Sequence, residues 1–186
     1  MSATAPGSGA AGVPAGAGGG GHLHVGWEEY YRLIERLAVM VSDSGYAFDS
    51  LLCLARGGMR PGDIISRVFR VPLAILSTSS YRDAGGTVAG ELDIADAITS
   101  TGGDPWGRVL LVDDLVDSGN TLARVAAHLR DNFPLVQEVR TAVIWYKASS
   151  VIVPDFYVEY LADNPWIHQP FERYDTLRPV DLGAGA

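Results

Sequence analysis

The chain predicts an α/β fold, a mostly parallel central sheet flanked by helices on both faces. Two observations carry this. Short apolar runs, Leu51–Leu54, Val71–Leu76, Val109–Val112, Arg140–Tyr146 and Phe156–Tyr160, alternate with segments whose apolar residues recur at helical spacing. One run, 109-VLLV-112, passes directly into Asp113-Asp114 and then, through a small-residue turn, into a helical pattern. In sheets of this kind ligands bind outside the strand C-termini.

The elements follow in order. Trp27, Tyr30, Tyr31, Ile34, Leu37, Ala38 and Val41 mark one face of a helix, which Ser42-Asp43-Ser44-Gly45 ends. Leu51–Leu54 is a buried strand, and Cys53, the sole cysteine, lies in it as a core thiol; no intrachain disulfide or thiolate cluster can form. Arg56-Gly57-Gly58 is a turn, and Pro61 suits the first turn of a helix running to about Arg70. After the strand at 71–76, the polar, glycine-rich stretch 77–90 reads as a mobile loop, and Leu92–Ile98 as a further strand. Residues 101–107 turn into the central strand Val109–Val112. A helix runs from Thr121 to about Leu129, a strand ends at Lys147, and a last strand spans 156–160.

Of 186 residues, 47% are hydrophobic and 19% charged, as in an ordinary globule. Residues 1–25 are a Gly/Ala-rich stretch unable to offset its ordering entropy, so they read as a disordered tail before a single domain at 26–180. A net charge of −8 and a pI of about 4.8 argue against nucleic acid or anionic membrane as partner. With no basic n-region and no long apolar span, the cytoplasm is the expected location.

The chemistry concentrates in 109-VLLVDDLVDSGNT-121. Backbone amides of Ser118, Gly119, Asn120 and Thr121 at a helix N-terminus form an anion cradle, to which the Ser118 and Thr121 hydroxyls add donors. A plain helix cap at Asp117 or Ser118 would explain the pentapeptide but not the preceding carboxylates. A site for bare phosphate would repel three aspartates. A sugar phosphate would not: its phosphate sits on the loop amides, its hydroxyls on Asp113 and Asp114, and Asp117 is left for proton transfer. Asp113 and Asp114 also suit hydrated Mg²⁺, held through water. A Walker B reading fails because the chain has no G-x-x-x-x-G-K-[ST].

This stretch resembles the 5-phosphoribosyl-1-pyrophosphate (PRPP) signature of the type I phosphoribosyltransferases. Other segments agree in order. Ala55-Arg56-Gly57-Gly58 resembles the pyrophosphate loop, where a non-proline cis peptide is typical and would here precede Arg56. Ser79-Ser80-Tyr81 resembles the flexible hood loop, with Ser80 and Tyr81 closing over PRPP to exclude water. Lys147 resembles the purine-binding lysine, and 164-NPWIHQPF-171 the W-I-x-Q-P segment of the hypoxanthine/xanthine–guanine branch.

The resemblance implies the type I phosphoribosyltransferase fold with a small C-terminal base-binding hood, and a purine salvage transferase: Mg²⁺-dependent, acting on PRPP and a 6-oxopurine (hypoxanthine, guanine or xanthine), and assembled as a dimer or tetramer. It implies Arg56, Gly57, Asp113, Asp114 and Asp117–Thr121 at PRPP, Asp117 as the base, and Lys147, Trp166 and Ile167 at the purine. The alternative reading of Lys147 is a solvated surface charge, and that of Trp166 a core residue. His168 stands where that branch has glutamate, and nothing in 166-WIHQPF-171 offers a carboxylate to guanine's 2-amino group. Two alternatives stay open: a non-catalytic PRPP or nucleotide sensor on the same fold, and transfer to another base.

Overall fold

The computed structural model describes residues 21–80, 92–95 and 97–183. Its central sheet is built on five parallel strands in the order β3 (Leu73–Ser80), β2 (Ser50–Ala55), β6 (Gly107–Val116), β7 (Val136–Lys147) and β8 (Phe156–Leu161). Two short strands, β4 (Leu92–Ile94) and β5 (Thr99–Ser100), pair antiparallel with β3. The strands at the centre are covered on both faces, and side chains of successive residues go to opposite sides. Leu51, Cys53, Leu110 and Val112 pack on one side with α1 (Trp27–Asp43) and α2 (Met59–Phe69). Leu52, Leu54, Val109 and Leu111 pack on the other with α3 (Asn120–Asn132).

Each helix follows from its sequence. Tyr30, Leu33, Ile34, Leu37, Ala38 and Val41 form the buried stripe of α1, while Trp27 and Tyr31, expected on that face, stay exposed at its edge. Glu28 and Glu29 favour its N-terminus, and Gly45 beyond its end takes a φ of +71° that suits glycine. Gly62 brings α2 close to β2, where an added Cβ would meet the Cys53 side chain. Cys53 is buried in the core, and that burial pushes its thiol up to about 12.

The sheet extends beyond the expected strands. β3 runs through 77–80, read as loop, because Ser77 still pairs with Ala55 of β2 and Thr78–Ser80 pair with β4. Within the strand expected at 92–98, the described residues form only the short β4, and β5 begins beyond it at Thr99. β6 continues through Asp113–Val116, which pair with β7 up to Val116↔Tyr146. Ser80 ends β3; Tyr81 and the rest of the expected hood loop to residue 90 lie outside the described residues.

One boundary needs correction. His22–His24, placed in the tail by sequence, form β1, which pairs parallel with β9 (Trp166–His168) in register Leu23↔Ile167. Val25 N–H donates to His168 O at 3.0 Å, and the Trp166 amide donates to Gly21 O at 2.5 Å. The rings of His24 and His168 stack at 4.3 Å, and His22 Nδ1 and His168 Nε2 share a hydrogen bond at 2.7 Å. A 3₁₀ turn (Glu172–Asp175) and the short helix α4 (Pro179–Gly183) follow. No helix among the described residues is long and apolar enough to cross a membrane.

Strand order 3-2-6-7-8 reverses between β2 and β6, and such a switch point opens a crevice at the strand C-termini. A chain beginning at Gly21 is expected to melt with the full chain. One beginning at Gly26 loses β1 and should melt ~5–10 °C lower, the equivalent of two or three backbone hydrogen bonds. Equal melting of the two would show that β1 adds nothing to the fold.

Candidate functional site

The crevice is walled on one side by the turn after β2. The Ala55–Arg56 peptide there is cis, as expected for this turn. Two glycines let the turn press against β6. A Cβ on Gly57 would fall on the Asp114 carboxylate, and one on Gly58 would meet Val112 O and the Leu54 backbone. Arg56 is exposed, and its Nη2 lies 3.6 Å from Asp175 Oδ1.

Opposite this turn are two carboxylates that sit within β6 rather than after it. The Asp114 amide donates to Asp113 Oδ1 at 2.9 Å, and the Leu115 amide donates to Asp114 Oδ1 at 2.8 Å. The other Asp114 oxygen accepts from Gln169 Nε2 at 2.5 Å. Gln169 is itself buried, and its Oε1 has no partner among the described residues. Burial, reinforced by the Asp114 charge, holds the Asp113 carboxyl well above the usual carboxylate range. Both aspartates line a cavity of about 510 Å³ with Arg56, Gly57 and Arg60.

A second cavity, of about 250 Å³, adjoins the first at Asp113 and Thr78 and is lined by Asp117, Ser118, Gly119 and Thr121. Gly119 holds the N-cap position of α3 with φ +80°, and a Cβ there would meet Ser150 Oγ and Ile152. No side chain caps the helix; the Asn120 amide reaches Ser118 Oγ only at 3.4 Å. The first amides of α3 therefore keep their capacity to bind an anion. Asn120 is exposed and begins α3 beside this cavity.

Lys147, at the end of β7, is 8% exposed and donates from Nζ to Asp117 Oδ2 at 3.3 Å. The Asp117 side chain is 62% exposed, and its Oδ1 accepts from Ser149 Oγ at 3.0 Å. The structure thus joins two residues that were singled out separately. Neither Trp166 nor Ile167 lines either cavity: Trp166 is 61% exposed on β9, and Ile167 is buried in the core. Sequence reasoning missed Arg60, Ser149 and the contact of Gln169 with Asp114. Arg60 carried a signal, a cation in the glycine turn at the start of a helix; the other two depend on chain crossings.

Among the described residues, no group of three or more His, Cys, Asp or Glu side chains is placed to hold a metal ion. Adjacent carboxyl groups, acceptor-only once ionised, suit a hydrated divalent cation, whose charge favours that ionisation and which a ligand's phosphates help to hold.

Comparison with known proteins identifies a family and a fold. A family model of the phosphoribosyl transferase domain matches residues 26–176. The xanthine-guanine phosphoribosyltransferase of Idiomarina loihiensis is 28% identical over 151 residues, covering 81% of this chain and 86% of that one. Among solved structures, the purine phosphoribosyltransferase of Pyrococcus horikoshii is similar with a TM-score of 0.67 and 28% identity, covering 81% of this chain and 93% of its own. The xanthine-guanine-hypoxanthine phosphoribosyltransferase of Helicobacter pylori has a TM-score of 0.68 at 25% identity, covering 88% and 99%.

The Asp113 shift has a consequence for stability. Its folded-state pKa lies above its unfolded one, so its charge costs stability as pH rises past the ordinary carboxylate range. Asp113→Asn, which keeps an acceptor for the Asp114 amide, should raise the melting temperature of the ligand-free chain at pH 7. The gain should shrink as pH falls toward ~4. A variant that melts lower at every pH would contradict the electrostatic origin of the shift.

Proposed function

The chain belongs to the type I phosphoribosyltransferase family, and from that premise we propose that it transfers the 5-phosphoribosyl group of PRPP to a 6-oxopurine and releases pyrophosphate. The observation that carries the choice of base is the buried Lys147 ammonium beside Asp117 at the end of β7. An ammonium offers three donors and no acceptor. One can serve Asp117 while another meets a 6-oxo group; a 6-amino group presents donors of its own and is penalised. The purine substrates named for the relatives support the same class of acceptor.

In this reading the 5′-phosphate sits on the amides that begin α3, with the Ser118 and Thr121 hydroxyls adding donors. Asp113 and Asp114 accept from the ribose hydroxyls, and Arg56 and the Gly57 backbone face the pyrophosphate. The bond from C1′ to the pyrophosphate oxygen breaks as purine N9 bonds to C1′, and Asp117 takes the proton at N7. Ser149 and Lys147 hold the Asp117 carboxylate for that step. Its charge also stabilises the positive ribosyl centre. Asp113 and Asp114 would hold Mg²⁺ through its waters; when bound, the ion supplies charge neutralisation at the leaving group. Trp166 and the Ile167 backbone are the proposed contacts to the base from β9.

The test is turnover with PRPP, Mg²⁺ and each free base. Hypoxanthine or guanine should exceed adenine in kcat/KM by a factor that can reach ~10⁴. Lys147→Met should remove most of that preference, and Asp117→Asn should lower kcat by about 10²–10⁴. Adenine used as well as hypoxanthine would overturn the role of Lys147. PRPP binding without turnover of any base would favour a PRPP sensor.

A further inference from the structure

In the turn Ala55-Arg56-Gly57-Gly58-Met59-Arg60-Pro61, the second arginine is the second residue of α2. A cation there faces the positive end of the helix dipole, which disfavours it. Among the described residues no carboxylate or hydrogen-bond acceptor engages its guanidinium. What does engage it is a ring: the guanidinium carbon lies 3.8 Å over the centroid of Phe171. Phe171 is fixed in turn by Tyr30, at 5.7 Å edge-on, and by Trp27 at 6.5 Å. Arg60 also lines the larger cavity with Arg56, Gly57 and the two aspartates. Stacking holds a guanidinium by its face and leaves the N–H groups at its edge open. Five donors on a cavity wall call for a ligand with several anionic oxygens.

We infer that Arg60 is a second pyrophosphate-binding cation of this site, aimed by Phe171. The inference rests on the reading that the cavity receives PRPP. The position assigns the leaving-group end. The amides proposed for the 5′-phosphate line the other cavity, across Asp113 and Thr78, whereas Arg60 shares its cavity with Arg56 and the glycine turn. Asp175 already lies near Arg56, so Arg60 is the cation in this cavity without an acidic partner among the described residues. Phe171 is a positioning residue: its ring lies under the guanidinium on the wall of the same cavity and offers no polar atom to an anion. Because Phe171 follows β9 closely, the segment that carries the proposed base contacts also aims a cation at the leaving group.

Calorimetry of the full chain with magnesium pyrophosphate, paired with steady-state kinetics, tests this. Arg60→Gln should weaken pyrophosphate binding about 10–100-fold, the worth of a charge-assisted contact. KM for PRPP should rise by a similar factor while KM for the purine stays within about twofold. Arg60→Lys should recover part of the loss, since it keeps the charge but not the planar fork. Phe171→Leu should show a smaller loss confined to pyrophosphate and PRPP. Removing the cation relieves the helix dipole but gives up the stack on Phe171, so the melting temperature should change by no more than a few degrees and a folding defect is distinguishable. Arg60→Gln binding pyrophosphate within twofold of wild type would overturn the inference, as would a wild-type chain that does not bind it. Arg60-dependent pyrophosphate binding without turnover of any 6-oxopurine would instead support Arg60 and sink the proposed acceptor.

Discussion

Two adjacent carboxylates at the end of the central strand are the constraint around which the rest of the molecule is arranged. Asp113 and Asp114 stand where β2 and β6 meet and the strand order reverses. Charges buried side by side are costly unless their oxygens are satisfied. Here the Asp114 and Leu115 amides and the Gln169 side chain supply donors. The turn after β2 must also pass close enough to close the crevice, and at Gly57 and Gly58 only glycine permits that approach. Even so, Asp113 resists ionisation. A site that stores such repulsion suits a ligand bringing hydroxyls and a cation, and the proposed PRPP site is of that kind.

Electrostatics at the rest of the site is local. The chain is acidic overall, with a net charge of −8, yet single cations are placed at three points around the crevice. Arg56 and Arg60 stand on the wall formed by the turn after β2, and Lys147 at the end of β7. Each is held by a neighbour: Asp175, the Phe171 ring and Asp117 respectively. An anionic ligand can thus be recognised by position without a basic surface that would attract polyanions.

Much of the sheet was legible because its central strands are buried on both faces and read as unbroken apolar runs. The run stopped being legible at Asp113. β6 goes on for four more residues because β7 keeps pairing with it, which the residue types there do not signal. Ser77–Ser80 failed in the same way: small polar residues read as loop until β2 pairs with Ser77 and β4 with Thr78–Ser80. β1 was invisible, since three residues beside a glycine run become a strand only through β9, more than 140 positions away. At the site, residues clustered in the chain were readable: the aspartate pair, the anion cradle and the glycine turn. Gln169 and Ser149 were not, because their partners lie 55 and 32 positions away. Arg60 could have been found, as a cation placed against a helix dipole needs a reason.

The most direct test of the carboxylate seam is calorimetric titration of PRPP with Mg²⁺ into the wild-type chain and into Gly57→Ala. The added methyl group would occupy the space of the Asp114 carboxylate without altering any charge. If that carboxylate, held in place by the glycine turn, receives the ribose, the wild type binds PRPP and the variant binds it at least about tenfold more weakly. Equal affinity in the two chains, with Gly57→Ala folded, would contradict it.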